Sequence, residues 1–99
     1  MEEIIMELIV NAGSASSKAM ESIMESKEGH SAIAKDNIKE AEEFLLKAHS
    51  IQTKLIQDEV NGNKVELSLL MLHAQDHLMN AVNMKDIAKE IVEMYERFS

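Results

Sequence analysis

Hydrophobic residues recur along this chain at spacings of three and four, in three long blocks parted by two short polar interruptions. In the first block, Ile4, Leu8, Ala12, Ala15, Ala19 and Ile23 trace one stripe of a helix over about residues 2–27. Its middle, Asn11-Ala12-Gly13-Ser14-Ala15-Ser16-Ser17, is a run of small residues that would also suit a loop, since Gly costs about 1 kcal/mol relative to Ala inside a helix. The apolar phase carries through the run, which predicts a continuous helix with a face that another backbone or a partner can approach closely.

Glu28-Gly29-His30-Ser31 reads as a stop and a restart, with Gly29 closing the first helix, His30 an exposed turn residue and Ser31 the expected N-cap of the second. The second helix is expected over about residues 32–60, on a stripe of Ala34, Ile38, Ala41, Leu45, Ala48, Gln52 and Leu55. Gln52 is the polar intruder in that stripe and a candidate to reach a site. Asn61-Gly62-Asn63 is a turn signal, residues 64–67 are expected to be irregular, and Ser68 is placed to cap a third helix over about residues 68–98. Three helices joined by two short turns make an all-α fold, an antiparallel up-down-up bundle forming a single domain over residues 1–99.

The first half of the third helix is unusual. Leu69, Leu70, Met71 and Leu72 precede, and Leu78, Met79, Ala81 and Val82 follow, a segment that places His73, Asp76 and His77 at i, i+3 and i+4. Apolar residues nearly all round a helix predict burial on several sides, inside a bundle or an assembly. An ionised carboxylate in such a place costs several kcal/mol (order of magnitude) unless paired or metal-bound, so Asp76 calls for a partner.

Composition narrows the classes of function. The chain has no Pro, no Trp and only three Gly, which agrees with helices throughout. A net charge of −8 opposes binding to nucleic acid or to an anionic membrane surface. The absence of Cys excludes disulfides, thiol catalysis and Cys-based zinc sites and fits a reducing compartment. No apolar run approaches the roughly 18 residues of a membrane span, so no direct membrane insertion is expected. Glu2 and Glu3 stand where a signal peptide would be basic, so the expected location is the cytoplasm.

His73-x3-His77 permits three kinds of chemistry. The pair can share a zinc ion, with Asp76 or His49 as a further ligand; the histidines can be hydrogen-bonded interior residues with Asp76 paired to one of them; or an imidazole nitrogen can carry a phosphoryl group. Hydrolysis is poorly supported, because no nucleophile elbow or Gly-rich phosphate loop is present.

The segment Met71-Leu72-His73-Ala74-Gln75-Asp76-His77-Leu78-Met79 resembles the active-site signature of the lactose/cellobiose (chitobiose) family of enzyme IIA proteins of the phosphoenolpyruvate-dependent sugar phosphotransferase system. Asn11-Ala12-Gly13-Ser14-Ala15-Ser16-Ser17-Lys18 is similar to that family's small-residue segment in the first helix, and Ala48-His49-Ser50-Ile51-Gln52-Thr53 to its Ala-His-Ser-x-Gln-Thr segment in the second. The resemblance implies that His73 accepts a phosphoryl group from the histidine-containing phosphocarrier protein. It passes the group to the cysteine of a sugar-specific enzyme IIB, for uptake of a lactose-, cellobiose- or chitobiose-type disaccharide. It further implies a homotrimer of bundles, with Asp76 as ligand to a structural Mg²⁺ or another divalent cation on the threefold axis, and Gln75, His77, His49 and Gln52 as neighbours of the active histidine. A reading from a different class is a non-catalytic acidic helical adaptor or regulator that keeps this fold.

Overall fold

The computed structural model describes residues 1–98; Ser99, the last position of the expected domain, lies outside the described residues. Three helices follow one another: α1 (Glu2–Lys27), α2 (Ser31–Val60) and α3 (Leu69–Phe98), with no strand among the described residues. α1 is continuous through the small-residue run.

Both reversals are closed by glycine. At the end of α1 the Gly29 N–H donates to the Ser26 carbonyl at 3.1 Å and the His30 N–H to the Glu25 carbonyl at 2.8 Å. At the end of α2 the Gly62 N–H donates to the Glu59 carbonyl at 3.1 Å and the Asn63 N–H to the Asp58 carbonyl at 2.8 Å. Each is a Schellman motif, which satisfies carbonyls that the helix end leaves open and requires the left-handed backbone found at Gly29 (φ +81°) and Gly62 (φ +88°). The chain therefore reverses within a few residues, and helices of 26 to 30 residues lie side by side in a rod of 53 × 20 × 15 Å.

The start of each later helix is settled differently. Ser68 caps α3 as expected, its hydroxyl accepting from the Met71 N–H at 3.1 Å. Ser31 does not cap α2. It is the helix's first residue, and its hydroxyl donates to Glu96 Oε2 of α3 at 2.8 Å. α2 has no acidic residue in its first turn, so Glu96 supplies the negative charge that a helix N-terminus favours from the other side of the bundle, where it also pairs with Lys35.

The interior is built largely from alanine. Ile5, Leu8, Ala12, Ala15, Leu45, Ala48, Leu55, Met71, Ala74, Leu78 and Ala81 form one buried cluster, and Ala19, Ala34, Ile38, Ala88 and Val92 a second. Short side chains along facing stripes let helix axes approach to the lower end of the usual 8–10 Å. α1 lies closely against both other helices, while α2 and α3 meet over fewer positions and leave a groove between them. Ser22, Ser26 and Asn37 are also buried; the Ser22 hydroxyl donates to the Ala19 carbonyl, and the Ser26 hydroxyl is without a hydrogen-bond partner.

α3 is not interior to the bundle. Leu69, Leu72, Met79, Ile87 and Met94 are exposed, Leu69 at 84%. The burial on several sides expected from the sequence is thus not provided by the chain's own helices. No helix among the described residues is long and apolar enough to cross a membrane.

Candidate functional site

At 100° per residue, consecutive positions on the first half of α3 face different neighbours. His73 and His77, four apart, stand on the flank nearest α1; Gln75 turns toward α2; Asp76 points outward with Leu72 and Met79. One turn of helix thereby presents an imidazole pair, an amide and a carboxylate to different surroundings.

His73 is exposed and His77 half-buried. Their rings lie nearly parallel, 15° apart, with centroids separated by 5.7 Å, inside the range of offset aromatic stacking. Behind them, the Nε2 edge of His77 is directed at α1 where Gly13 presents bare backbone: a methyl group placed on Gly13 would come within 3.3 Å of that atom. Gly13 is the position that lets this imidazole settle against the first helix.

On the opposite flank, Gln52 Nε2 donates to Gln75 Oε1 at 2.6 Å, so the polar intruder in the α2 stripe meets a polar residue of α3. The Gln75 amide nitrogen is in turn directed toward Met71 Sδ at 3.9 Å. This pairing satisfies two partly buried amides and fixes α3 against α2 next to the imidazole pair.

Asp76 is exposed within the chain. Its Oδ2 accepts a long contact of 3.5 Å from Asn80 Nδ2, one turn farther along the same face. Of the alternatives open for Asp76, a hydrogen bond to one of the two histidines is not made among the described residues; the carboxylate is directed outward, toward Asn80.

His49 stands apart from the imidazole pair, in the groove between α2 and α3 that Glu42, Leu45, Leu46, Val82 and Lys85 also line. The Lys85 ammonium bonds Asp86 Oδ1 at 2.7 Å and lies 3.6 Å from Glu42 Oε2. The hydrogen bond to Asp86 raises its pKa above the ordinary lysine value, partial burial opposing it. No hydrogen bond or ring contact joins His49 to His73, Gln75 or His77 among the described residues. His30 pairs instead with Glu25 at the exposed α1–α2 turn, 2.6 Å apart.

Among the described residues no three His, Cys, Asp or Glu side chains converge on one point. A zinc ion held by His73 and His77 would therefore lack further ligands from the same chain, where a closed site takes about four. The arrangement suits another use better: an accessible imidazole, backed by a second ring that is itself seated on a helix backbone, is a nucleophile with a defined orientation. Sequence reading singled out His73, Asp76 and His77 through their apolar surroundings, Gln52 through its place in an apolar stripe and Gln75 through the family resemblance. It did not name the Gly13–His77 contact, although a glycine kept inside a helix at a cost is a local signal that something must come close there.

The chain matches the family model described as "PTS system, Lactose/Cellobiose specific IIA subunit" over residues 3–96. It is 50% identical over 99 residues, 100% of this chain and 90% of the relative, to the lichenan-specific phosphotransferase enzyme IIA component of Bacillus subtilis (strain 168). Its fold is similar to the crystal structure of the PTS cellobiose-specific enzyme IIA from Bacillus anthracis, with a TM-score of 0.95, 44% identity, and coverage of 98% of this chain and 89% of that one. It is also similar to a chain in the solution structures of the IIA(Chitobiose)-HPr complex of the N,N'-diacetylchitobiose branch of the Escherichia coli phosphotransferase system, with a TM-score of 0.85, 36% identity, and coverage of 98% and 94%.

Proposed function

Because the chain belongs to the lactose/cellobiose-specific IIA subunits of the phosphotransferase system, phosphotransferase components by name, we propose that it is a cytoplasmic phosphohistidine carrier whose acceptor is His73. The observation that carries this reading is the exposed His73 imidazole, held parallel to the half-buried His77 ring on the flank of α3. A ring nitrogen lone pair of His73 attacks the phosphorus of the phosphorylated histidine on the histidine-containing phosphocarrier protein. The new N–P bond forms as the donor's N–P bond breaks, and the departing imidazole recovers its electron pair. Onward transfer repeats the exchange, with a cysteine thiolate of enzyme IIB as nucleophile and His73 as leaving group. Proton and charge counts are unchanged across each exchange, so the protein's work is positioning and stabilisation of the phosphoryl oxygens.

On the His73 flank of α3, His77 is the nearby donor for those oxygens. It lies one turn on, whereas Gln75, two residues on, faces α2 and acts through its bond to Gln52 by holding α3 in place. His49 stands in the α2–α3 groove and enters this scheme only as part of a surface that a partner protein covers. The phosphocarrier as donor is supported by the likeness to a IIA chain in complex with HPr. A disaccharide of the cellobiose or chitobiose type as the transported sugar is supported by the names of the relatives.

The reading extends to assembly. The outward face of α3, with exposed Leu69, Leu72 and Met79 around Asp76, is the surface on which three copies associate as a homotrimer. The donor there is the Asp76 carboxylate, an oxygen ligand of the kind a hard divalent cation such as Mg²⁺ takes, with the Asn80 amide nitrogen turned toward it one turn along. One chain supplies a single carboxylate, so such an ion would be shared between copies. Its contribution would be to offset the repulsion of the gathered carboxylates rather than to take part in transfer.

The test is phosphoryl transfer from phosphoenolpyruvate through enzyme I and the phosphocarrier. Acid-labile, alkali-stable label on the wild type and none on His73→Ala is the expected result. A folded wild type that stays unlabelled with competent partners, or a labelled His73→Ala, overturns the assignment.

A further inference from the structure

The helical glycine at the centre of α1 faces one member of the imidazole pair, His77. Gly13 lies in a continuous helix, where glycine is the least favourable residue after proline, and its φ is not positive, so no special backbone conformation accounts for it. The space above it does. A Cβ there would meet His77 Nε2 at 3.3 Å, tighter than ordinary van der Waals contact, whereas Cβ atoms at Gly29 and Gly62 would meet nothing within 4 Å. Among the three glycines, Gly13 alone has its missing side chain replaced by a functional group of another helix.

We propose that Gly13 is a positioning residue for phosphoryl transfer: its bare backbone seats the His77 imidazole, and the seated His77 ring sets the orientation of His73 through their parallel stack. The inference rests on His73 as acceptor. His77 has two rotatable bonds, and on an open helix face its ring would sample several rotamers. Resting against α1 removes that freedom on one side, and the 5.7 Å, 15° relation to His73 carries the restraint to the nucleophile. A methyl group at position 13 must push the His77 edge outward by a few tenths of an ångström or turn it to another rotamer. Either change tilts the stack on the flank where the incoming phosphorus must meet a ring nitrogen in line.

A displacement of about 1 Å can cost roughly a hundredfold in rate, so a shift of a few tenths is expected to cost on the order of three- to tenfold. The experiment measures Gly13→Ala, His77→Asn and the double variant in the complete transfer assay, separating kcat from KM for the phosphorylated carrier. Imidazole ¹⁵N and ¹H spectra of the unphosphorylated proteins are recorded alongside. Gly13→Ala is expected to fold with undiminished helicity, because alanine favours helix. Its kcat falls three- to tenfold with KM nearly unchanged, and the His77 and His73 ring signals shift.

In the His77→Asn background, where the shorter side chain leaves room, Gly13→Ala is expected to have no further effect. Equal losses in both backgrounds would show that Gly13 acts without His77 and would overturn the proposal, as would full activity and unmoved ring signals in Gly13→Ala. Should Gly13→Ala not fold, the wild type still decides: nuclear Overhauser contacts from the Gly13 α-protons to the His77 ring are expected, and their absence refutes the seat. A wild type that takes no label, or label that survives His73→Ala, is a failure of the carrier assignment and is distinguishable from all of these.

Discussion

Leu78 and Leu72 stand six residues apart on α3, one 1% exposed and the other 52%, and truncating each to alanine separates the chain's own core from the surface it leaves open. Leu→Ala deletes three carbons. At ~0.8 kcal/mol per buried CH₂ the transfer cost is about 2.4 kcal/mol for Leu78. The remaining hole adds a cavity term, which brings measured Leu→Ala changes to roughly 2.7–5 kcal/mol. Around Leu78 the cluster includes Ala12, Ala15, Ala74 and Ala81, whose methyl groups have no reach into the vacated space, so little collapse is available. The expected loss is about 3–4 kcal/mol, a large share of the ~5–15 kcal/mol typical of a domain. For a chain near 100 residues this lowers Tm by at least about 12 °C.

Leu72→Ala is expected to change a dilute monomer by no more than about 0.5 kcal/mol. If the outward face of α3 is covered by other copies, its cost grows with protein concentration, because association stabilises only the folded chain. Thermal unfolding followed by circular dichroism at low and high concentration, with sedimentation of the same samples, reads both. A Leu78→Ala Tm within 3 °C of wild type, or a Leu72→Ala loss as large as that of Leu78→Ala at every concentration, would refute the division of α3 into a core side and an open side.

Three further outcomes are expected. Gly62→Ala should destabilise by about 1–2 kcal/mol in denaturant titration, purely from the left-handed backbone at φ +88°, since nothing lies within 4 Å of the added methyl group; Gly62→Asn should recover part of the loss. Asp76→Leu should yield an assembly that survives chelation while the wild-type assembly loosens in EDTA, measured by sedimentation; identical behaviour of the two would remove Asp76 from any shared cation site. The Glu96 carboxyl is held below the ordinary carboxylate range by Lys35 first and Ser31 second, so its stabilising effect is present above the usual carboxylate pKa and lost as pH falls through the lowered one. Glu96→Gln should therefore narrow the Tm difference between neutral and acidic pH, and an unchanged acid profile would argue against the cross-bundle contact.

The sequence made the helices legible because their signals are local. Stripes at three- and four-residue spacing marked the buried faces, and Gly29 and Gly62 marked the stops because a Schellman closure needs a left-handed residue at that point. The start of α2 was misread for the converse reason: Ser31 has the chemistry of a cap, but Glu96, 65 residues away, takes its hydroxyl, and no local pattern encodes that. Apolar surroundings around residues 73–77 predicted burial on several sides, yet periodicity does not distinguish covering by one's own helices from covering by another molecule, and the chain's own helices leave Leu69 and Leu72 exposed. His49 came with Gln52 from the resemblance of one segment; three residues apart on α2, both face α3, Gln52 bonded to Gln75 and His49 in the groove beside Val82 and Lys85. Ser22, Ser26 and Asn37 gave no sign of burial, because short polar side chains can satisfy or hide themselves within their own helix.

The uneven packing of the rod has a consequence for the order in which the chain assembles. α1 offers an alanine-lined seat to each of the other helices, while α2 and α3, joined directly in sequence, hold each other less closely. As the polypeptide leaves the ribosome, the α1–α2 hairpin is complete before residue 69 appears, and it presents a preformed half of the interior. The last helix then docks chiefly onto the first, a long-range closure spanning more than half the chain, whereas each turn closes locally. A nascent chain that ends within α3 thus has the α1–α2 half of the interior without the helix that closes it, its alanine-lined side uncovered.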